Sequence, residues 1–197
     1  MPVRALFPTL VYQAPLGGPG SLLRDLMGDC RRVRANDPKV VAWSRTHYPG
    51  GFTSYATMCR LHKTFSTFMQ LEGRLDRHVR AFAKRLKWDV DVRRLKMTDC
   101  WVNVMPQGVA HSLHLHPESV VSGTYYVKTP AGSSGLKLED PRLDRFMASP
   151  SRPDMHVTYP SKAGSVVLFE SWLRHEVPPN PVAGERVSVS FNYAVTG

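Results

Sequence analysis

The stretch His111–Lys128, HSLHLHPESVVSGTYYVK, places three histidines within six positions and then a Ser-Gly-Thr-Tyr-Tyr run. Its polar and apolar residues alternate with period two, which is the signature of strands rather than a helix. In HSLHLH, alternation puts Ser112, His114 and His116 on one face, with His111, Leu113 and Leu115 on the other. In SGTYYV, Ser122, Thr124 and Tyr126 share a face opposite Tyr125 and Val127.

The same period runs through the rest of the second half. LKMTDCWVNVM, GLKLED, GSVVLFE and RVSVSFNYAV read as further strands, separated by MPQG, TPAGSSG, SPSRP, YPSKAG and PPNPVAG. In RVSVSFNYAV, Arg186, Ser188, Ser190 and Asn192 lie on one face, and Val187, Val189, Phe191, Tyr193 and Val195 on the other. Several short strands with such punctuation predict a sandwich or jelly roll. In a small barrel of this kind, the polar face can line an interior pocket.

The first half reads differently. Residues 4–14 suit a strand, and a short helix over about 22–34, with Ser21 as a candidate N-cap, should stop before Pro38. HYPGGFTSY at 47–55 is a loop. The clearest helix is 62–87, where Phe65, Phe68, Leu71, Leu75, Val79, Phe82 and Leu86 recur at three- and four-residue steps. That stripe must cover something, so the expectation is one domain over 1–197. In it, an N-terminal helical support region (1–94) packs on a β-core (95–197), giving an α+β, mainly β fold.

The whole chain has 197 residues, a net charge of +10 and no apolar run long enough to span a membrane. MPVRALFPTLVYQAP is interrupted by Pro8 and lacks a signal-peptide pattern. Cys30, Cys59 and Cys100 form no CxxC, so neither a disulfide framework nor a cysteine zinc site is expected, and a cytoplasmic setting is. The basic clusters, Arg31, Arg32 and Arg34, then Arg74 to Lys87, lack interleaved aromatics. Nucleic acid is therefore not an expected partner, nor is a membrane.

His114 and His116, two apart on a strand, project together, which is sound geometry for two ligands of one metal ion. His175, just before the PP break in GSVVLFESWLRHEVPPN, supplies a third imidazole from a strand end. His111 points away by alternation, and His47, His62, His78 and His156 have no partner pattern. Arg186 opens the following strand with Ser188 on its face. A guanidinium fork plus a hydroxyl suits a carboxylate, and an inward arginine needs an anion.

Taken in order, HLHPES, SGTYY, FESWLRH and RVSVSFN resemble the iron(II)- and 2-oxoglutarate-dependent oxygenases, with a likeness to the prolyl-hydroxylase branch, over roughly residues 95–195. The resemblance implies a double-stranded β-helix, or jelly roll, behind an N-terminal helical layer. It implies Fe(II) with 2-oxoglutarate as co-substrate, and O₂ and an organic substrate as partners. His114, His116 and His175 would be the metal ligands, with Glu118 the alternative to His116, because the superfamily usually has a carboxylate at that place. Arg186 and Ser188 would hold the far carboxylate of 2-oxoglutarate, with Tyr126 and Asn103 as further contacts. The implied reaction is hydroxylation of an unreactive C–H bond in a small molecule, amino acid or peptidyl residue. Trp101, Phe169 and Trp172 are candidate pocket walls, and the 128–162 segment and the PGGFTSY loop are candidate specificity elements. The rival readings are a three-histidine cupin-type metalloenzyme and a non-catalytic basic binding module. The cupin leaves Arg186 and Ser188 without a role.

Overall fold

A computed structural model describes residues 2–18, 20–148, 150 and 152–197 of the chain. Two antiparallel sheets face each other. The larger is ordered β1 (Val11–Pro15), β8 (Ser165–Glu170), β5 (Val121–Lys128), β10 (Arg186–Val195), β3 (Leu95–Met105) and β2 (Phe52–Thr53). The smaller is ordered β4 (His111–His114), β9 (His175–Val177), β6 (Leu136–Glu139) and β7 (His156–Tyr159). This is the expected jelly roll with helices on its outer face.

The period-two reading holds strand by strand in the larger sheet. Val187, Val189, Phe191 and Tyr193 of β10 join Cys100, Val102 and Val104 of β3 and Tyr125 and Val127 of β5 in a core beneath the helices. The opposite faces turn toward the smaller sheet, where Met105, Tyr126, Leu136, Leu138, Val167, Phe169 and Val177 form a second core. The register then builds polar rows across three strands. Ser188 sits between Asn103 and Tyr126, Ser190 between Trp101 and Thr124, and Asn192 between Asp99 and Ser122.

α3 (Ser66–Leu86) buries Phe68, Leu71, Leu75, Val79 and Phe82 against this sheet, so the helical stripe is core. The start of the chain departs from expectation in three places. The first strand is shorter, beginning at Val11. α1 runs Gly20–Asn36, so Ser21 lies inside the helix rather than capping it. Pro38 does not end the helical region: it occupies the first turn of α2 (Pro38–His47), whose N-cap Asp37 accepts from the Lys39 and Val40 amides. Proline is favoured there because the missing N–H would have no helical partner. The first 94 residues therefore supply three helices and also both edge strands of the larger sheet. Among the described residues, no helix is long and apolar enough to cross a membrane.

Candidate metal centre

His114 ends β4, His116 lies in the turn after it, and His175 opens β9, paired directly with His114. One ring nitrogen from each lies within 4.8 Å of the others. The Nε2 atoms of His116 and His175 are 3.3 Å apart, close to the ~3 Å that two adjacent ligands at ~2.1 Å from one ion would show. The Nδ1 atoms of His114 and His175 lie 2.7 and 2.9 Å from the carbonyls of Ser112 and Leu173. A donor proton on Nδ1 leaves Nε2 bare, and this backbone anchoring is what orients metal-binding imidazoles. The His116 amide donates to the Ser171 carbonyl (3.0 Å), and Ser171 in turn meets Ser122 hydroxyl to hydroxyl at 2.8 Å. Ser171 of FESWLRH and Ser122 of SGTYY thus hold the third histidine in place.

Burial, followed by the neighbouring His114 charge, pushes His116 down to about 4 and His175 down to about 3; burial also lowers His114. Burial thus favours the neutral form of all three imidazoles, the form that can bind a cation. Glu118 is exposed and stands outside this group.

His111 is brought into the site, contrary to the alternation argument. Between His111 and His114 the β4–β9 register slips: three steps on β4 match two on β9. A bulge of this kind turns the side chain to the other face. His111 packs its ring 4.7 Å from His114 and 5.2 Å from Tyr48. Burial pushes it down to about 3, with the charges of His114, His116 and Arg186 acting in the same direction. Nothing in HSLHLH marks the bulge.

A narrow cavity extends from the imidazoles between the sheets, lined by Asn103, Thr124, Phe169, Arg186, Ser188 and Ser190 among others. Arg186 is 2% exposed. Its guanidinium reaches Ser188 Oγ at 3.3 Å and Met105 Sδ at 3.4 Å and lies 5.0 Å from the Tyr126 ring centre. Its Nε, the Tyr126 hydroxyl and Asn103 Oδ1 are buried without hydrogen-bond partners, while Asn103 Nδ2 donates to Ser190. Among the described residues, no carboxylate pairs with Arg186. Burial raises the Tyr126 phenol, against the pull of the Arg186 charge. A buried cation beside orphaned polar atoms is costly unless an anion arrives.

In front of the imidazoles a wider vestibule is lined by Trp43, Tyr48, Thr53, Tyr55 and Trp101, with His111, His114 and His116 at its floor. The loop at 47–55 thus lies at the mouth, as expected. The 128–162 segment supplies β6 and β7 and contributes only Leu136 to the narrow cavity. Trp101 and Phe169 wall the cavity, whereas Trp172 lines a neighbouring groove with Trp88.

The fold and the arrangement of imidazoles are similar to those of jelly-roll oxygenases that use iron(II) and 2-oxoglutarate. Residues 99–192 match the model of the family described as "Putative 2OG-Fe(II) oxygenase". Among solved structures, a Pseudomonas putida prolyl-4-hydroxylase is 20% identical, covering 96% of this chain and 94% of that one, with a TM-score of 0.64. HygX of Streptomyces hygroscopicus, solved with nickel, 2-oxoglutarate and hygromycin B bound, is 13% identical over 95% of this chain and 84% of its own, TM-score 0.66. The 2-oxoglutarate-dependent epimerase SnoN from nogalamycin biosynthesis is 13% identical over 94% of this chain and 78% of its own, TM-score 0.68. At these identities the likeness is one of fold. No curated protein matches the chain.

Proposed function

We propose that His114, His116 and His175 hold the iron and that Arg186 and Ser188 hold the far carboxylate of 2-oxoglutarate. The Tyr126 hydroxyl donates to the same carboxylate, and Asn103 borders it on the next strand. The observation that carries this reading is Arg186, a buried cation without a carboxylate partner at the end of a cavity whose other end is three neutral imidazoles. A dicarboxylate satisfies both ends at once, and a bidentate guanidinium grip fixes its orientation. His116 is the third ligand rather than Glu118, because its Nε2 already faces that of His175.

Iron held by His114, His116 and His175 would, with O₂ and 2-oxoglutarate, supply the oxidising power to convert a C–H bond to an alcohol, the co-substrate being consumed to succinate and CO₂. The chain's own contribution is positional. Ser112 and Leu173 carbonyls orient the imidazoles, Ser171 pins His116, and Trp101 and Phe169 keep water from the reacting space. The product class is a hydroxylated small molecule, amino acid or peptidyl residue. A cupin-type metalloenzyme accounts for the imidazoles but not for Arg186, and a basic binding module accounts for neither. Cys30, Cys59 and Cys100 are free thiols, which suits a reducing cytoplasm. The chain acts as one domain, since its N-terminal part supplies strands and the mouth loop to the same site.

The test is an anaerobic titration with Fe(II) and 2-oxoglutarate, watching for the visible charge-transfer band of the chelate. Formation of the band, and its loss when Arg186 is replaced, is the expected result. Iron binding with no band in the wild type favours the cupin reading, and no iron binding removes the metal assignment.

A further inference from the structure

All four tryptophans of the chain stand beside the candidate metal centre. Trp43 and Trp101 line the vestibule, a cavity of about 500 Å³, which is the size of a small-molecule site. Trp88 and Trp172 line the neighbouring groove, of about 220 Å³. The two spaces meet at Leu115 and His116, which line both, so an aromatic track runs past the third imidazole. Its walls are anchored from several elements. Trp43 stacks on His47 of the same helix at 4.3 Å, Tyr55 of the mouth loop tilts against Trp101 of β3 at 4.9 Å, and Trp88 packs on the core beneath α3.

Part of this apolar surface faces water. Tyr55 and Trp172 are each 47% exposed, and Leu115 is 41% exposed. Large apolar side chains gathered in the open mark a binding surface. The track is also poor in charge. Lysine, arginine, aspartate and glutamate make up 21% of the chain, yet among the described residues none of them lines the vestibule, and Glu170 alone lines the groove. Tyr48, 7% exposed, brings to the vestibule a hydroxyl without a hydrogen-bond partner.

We propose that the substrate is an uncharged small molecule of at least two linked rings, its reacting end in the vestibule and its other end in the groove against Trp88 and Trp172. This rests on the oxygenase reading of the same site and narrows it to a small molecule rather than a free amino acid or a peptidyl residue. An ionised group entering the vestibule would leave water without a counter-charge on the walls, and a free amino acid carries two such groups. A peptide backbone brings an N–H and a C=O at each residue, which walls of tryptophan, tyrosine, proline and leucine do not satisfy. Flat rings instead bury against aromatic faces, offset or edge to face. The Tyr48 hydroxyl then has a neutral oxygen of the substrate to meet. Holding the far end against Trp172 sets how deep the near end goes, and so which carbon reaches the imidazoles.

The probes are biphenyl-4-ylmethanol, the matching 4-phenylbenzylammonium and biphenyl-4-carboxylate, the one-ring benzyl alcohol, and a blocked dipeptide of similar size, N-acetyl-Pro-Phe-amide. Each is titrated by calorimetry, anaerobically, into the full chain with Fe(II) and 2-oxoglutarate present. Biphenyl-4-ylmethanol should bind about tenfold or more tighter than benzyl alcohol, because the second ring leaves water. It should exceed both charged analogues and the dipeptide by about tenfold or more. Trp172→Ala, a change at an exposed side chain, should erase the gain from the second ring and leave benzyl alcohol binding as it was. Trp43→Ala should weaken both alcohols. The proposal is overturned if a charged analogue or the dipeptide binds as tightly as the biphenyl alcohol, if the second ring adds nothing, if its gain survives Trp172→Ala, or if the biphenyl alcohol shows no saturable binding. The chelate band, recorded on the same preparations, keeps the two readings apart. Any of those results with an intact band removes the substrate class alone. An absent band with the ring and charge preferences intact removes the oxygenase reading and leaves a ring-binding track.

Discussion

Replacing Arg186 with methionine should uncouple co-substrate binding from stability. The guanidinium is 2% exposed, touches only Ser188 Oγ, Met105 Sδ and the Tyr126 ring, and leaves Nε unpaired. Removing one partner of a buried, hydrogen-bonded charge pair costs ~2–5 kcal/mol. The dissociation constant of 2-oxoglutarate should therefore rise by roughly 30-fold to several thousand-fold. The ligand-free protein should respond the other way. An unpaired buried charge is a burden on the fold, and methionine fills much of the same space without it, so stability should hold or rise. At a concentration 100 times its dissociation constant, 2-oxoglutarate stabilises the wild type by ~2.7 kcal/mol. For a chain of this size that is a melting shift of about 5–10 °C. The same concentration should move the variant by less than about 3 °C. The assay is anaerobic thermal unfolding of the iron-loaded protein, with and without 2-oxoglutarate, alongside the ligand-free melt. A shift of wild-type size refutes the assignment. So does a ligand-free variant destabilised by ~3–5 kcal/mol, which would mean that the guanidinium has a structural partner.

His116→Ala should lower bound iron measured by metal analysis, and Glu118→Gln should leave it unchanged; full occupancy in His116→Ala would return the third-ligand role to Glu118. Gly123→Ala should destabilise the fold by ~1–3 kcal/mol in urea unfolding, because its Cβ would lie 2.6 Å from Phe191 and 2.7 Å from Leu168; a neutral outcome would mean that the core beneath α3 yields. His62 is 1% exposed and burial pushes it down to about 4, so its neutral form is the folded one. The unfolded chain binds this proton between pH ~6.5 and 4, and stability falls as pH drops through that window by up to ~1.4 kcal/mol per unit for each such group. His62→Phe should flatten that slope, and an unchanged slope would assign the acid sensitivity to other groups.

The β-core was legible because alternation is a local property. Each strand of the larger sheet announces its two faces, so Arg186, Ser188 and Ser190 could be put on one face, but that this face is buried is shown only by the packing of the two sheets. The histidine group was legible for the same reason, two of its members lying in one tripeptide and the structure bringing His175 to them. What sequence could not show depends on long-range pairing. His111 enters the site because β4 bulges against β9, and a bulge is fixed by the partner strand, not by HSLHLH itself. Tyr48 reaches the vestibule because Gly51 lets the loop fold tightly over it: a Cβ there would lie 2.5 Å from the Tyr48 ring. α2 was missed because Pro38 reads equally as a stop and as a first-turn residue, and only the Asp37 cap decides between them.

The three imidazoles change where negative charge sits in this molecule. With a carboxylate as third ligand, the empty site would hold a buried anion that needs a cation to be stable. With His116 there, the proposed ligand set would be neutral when empty, and among the described residues that line the narrow cavity Arg186 alone carries a formal charge. A metal dication then adds to it, so the cavity presents three positive charges to a co-substrate bearing two negative ones. Among the described residues, no carboxylate lines the narrow cavity. Asp99 accepts from the Thr98 hydroxyl and the Asn192 amide, and Glu118 stands in solvent, both outside the proposed ligand set. On that assignment the histidine set favours anion capture at the inner end of the site, the end that the Arg186 substitution probes.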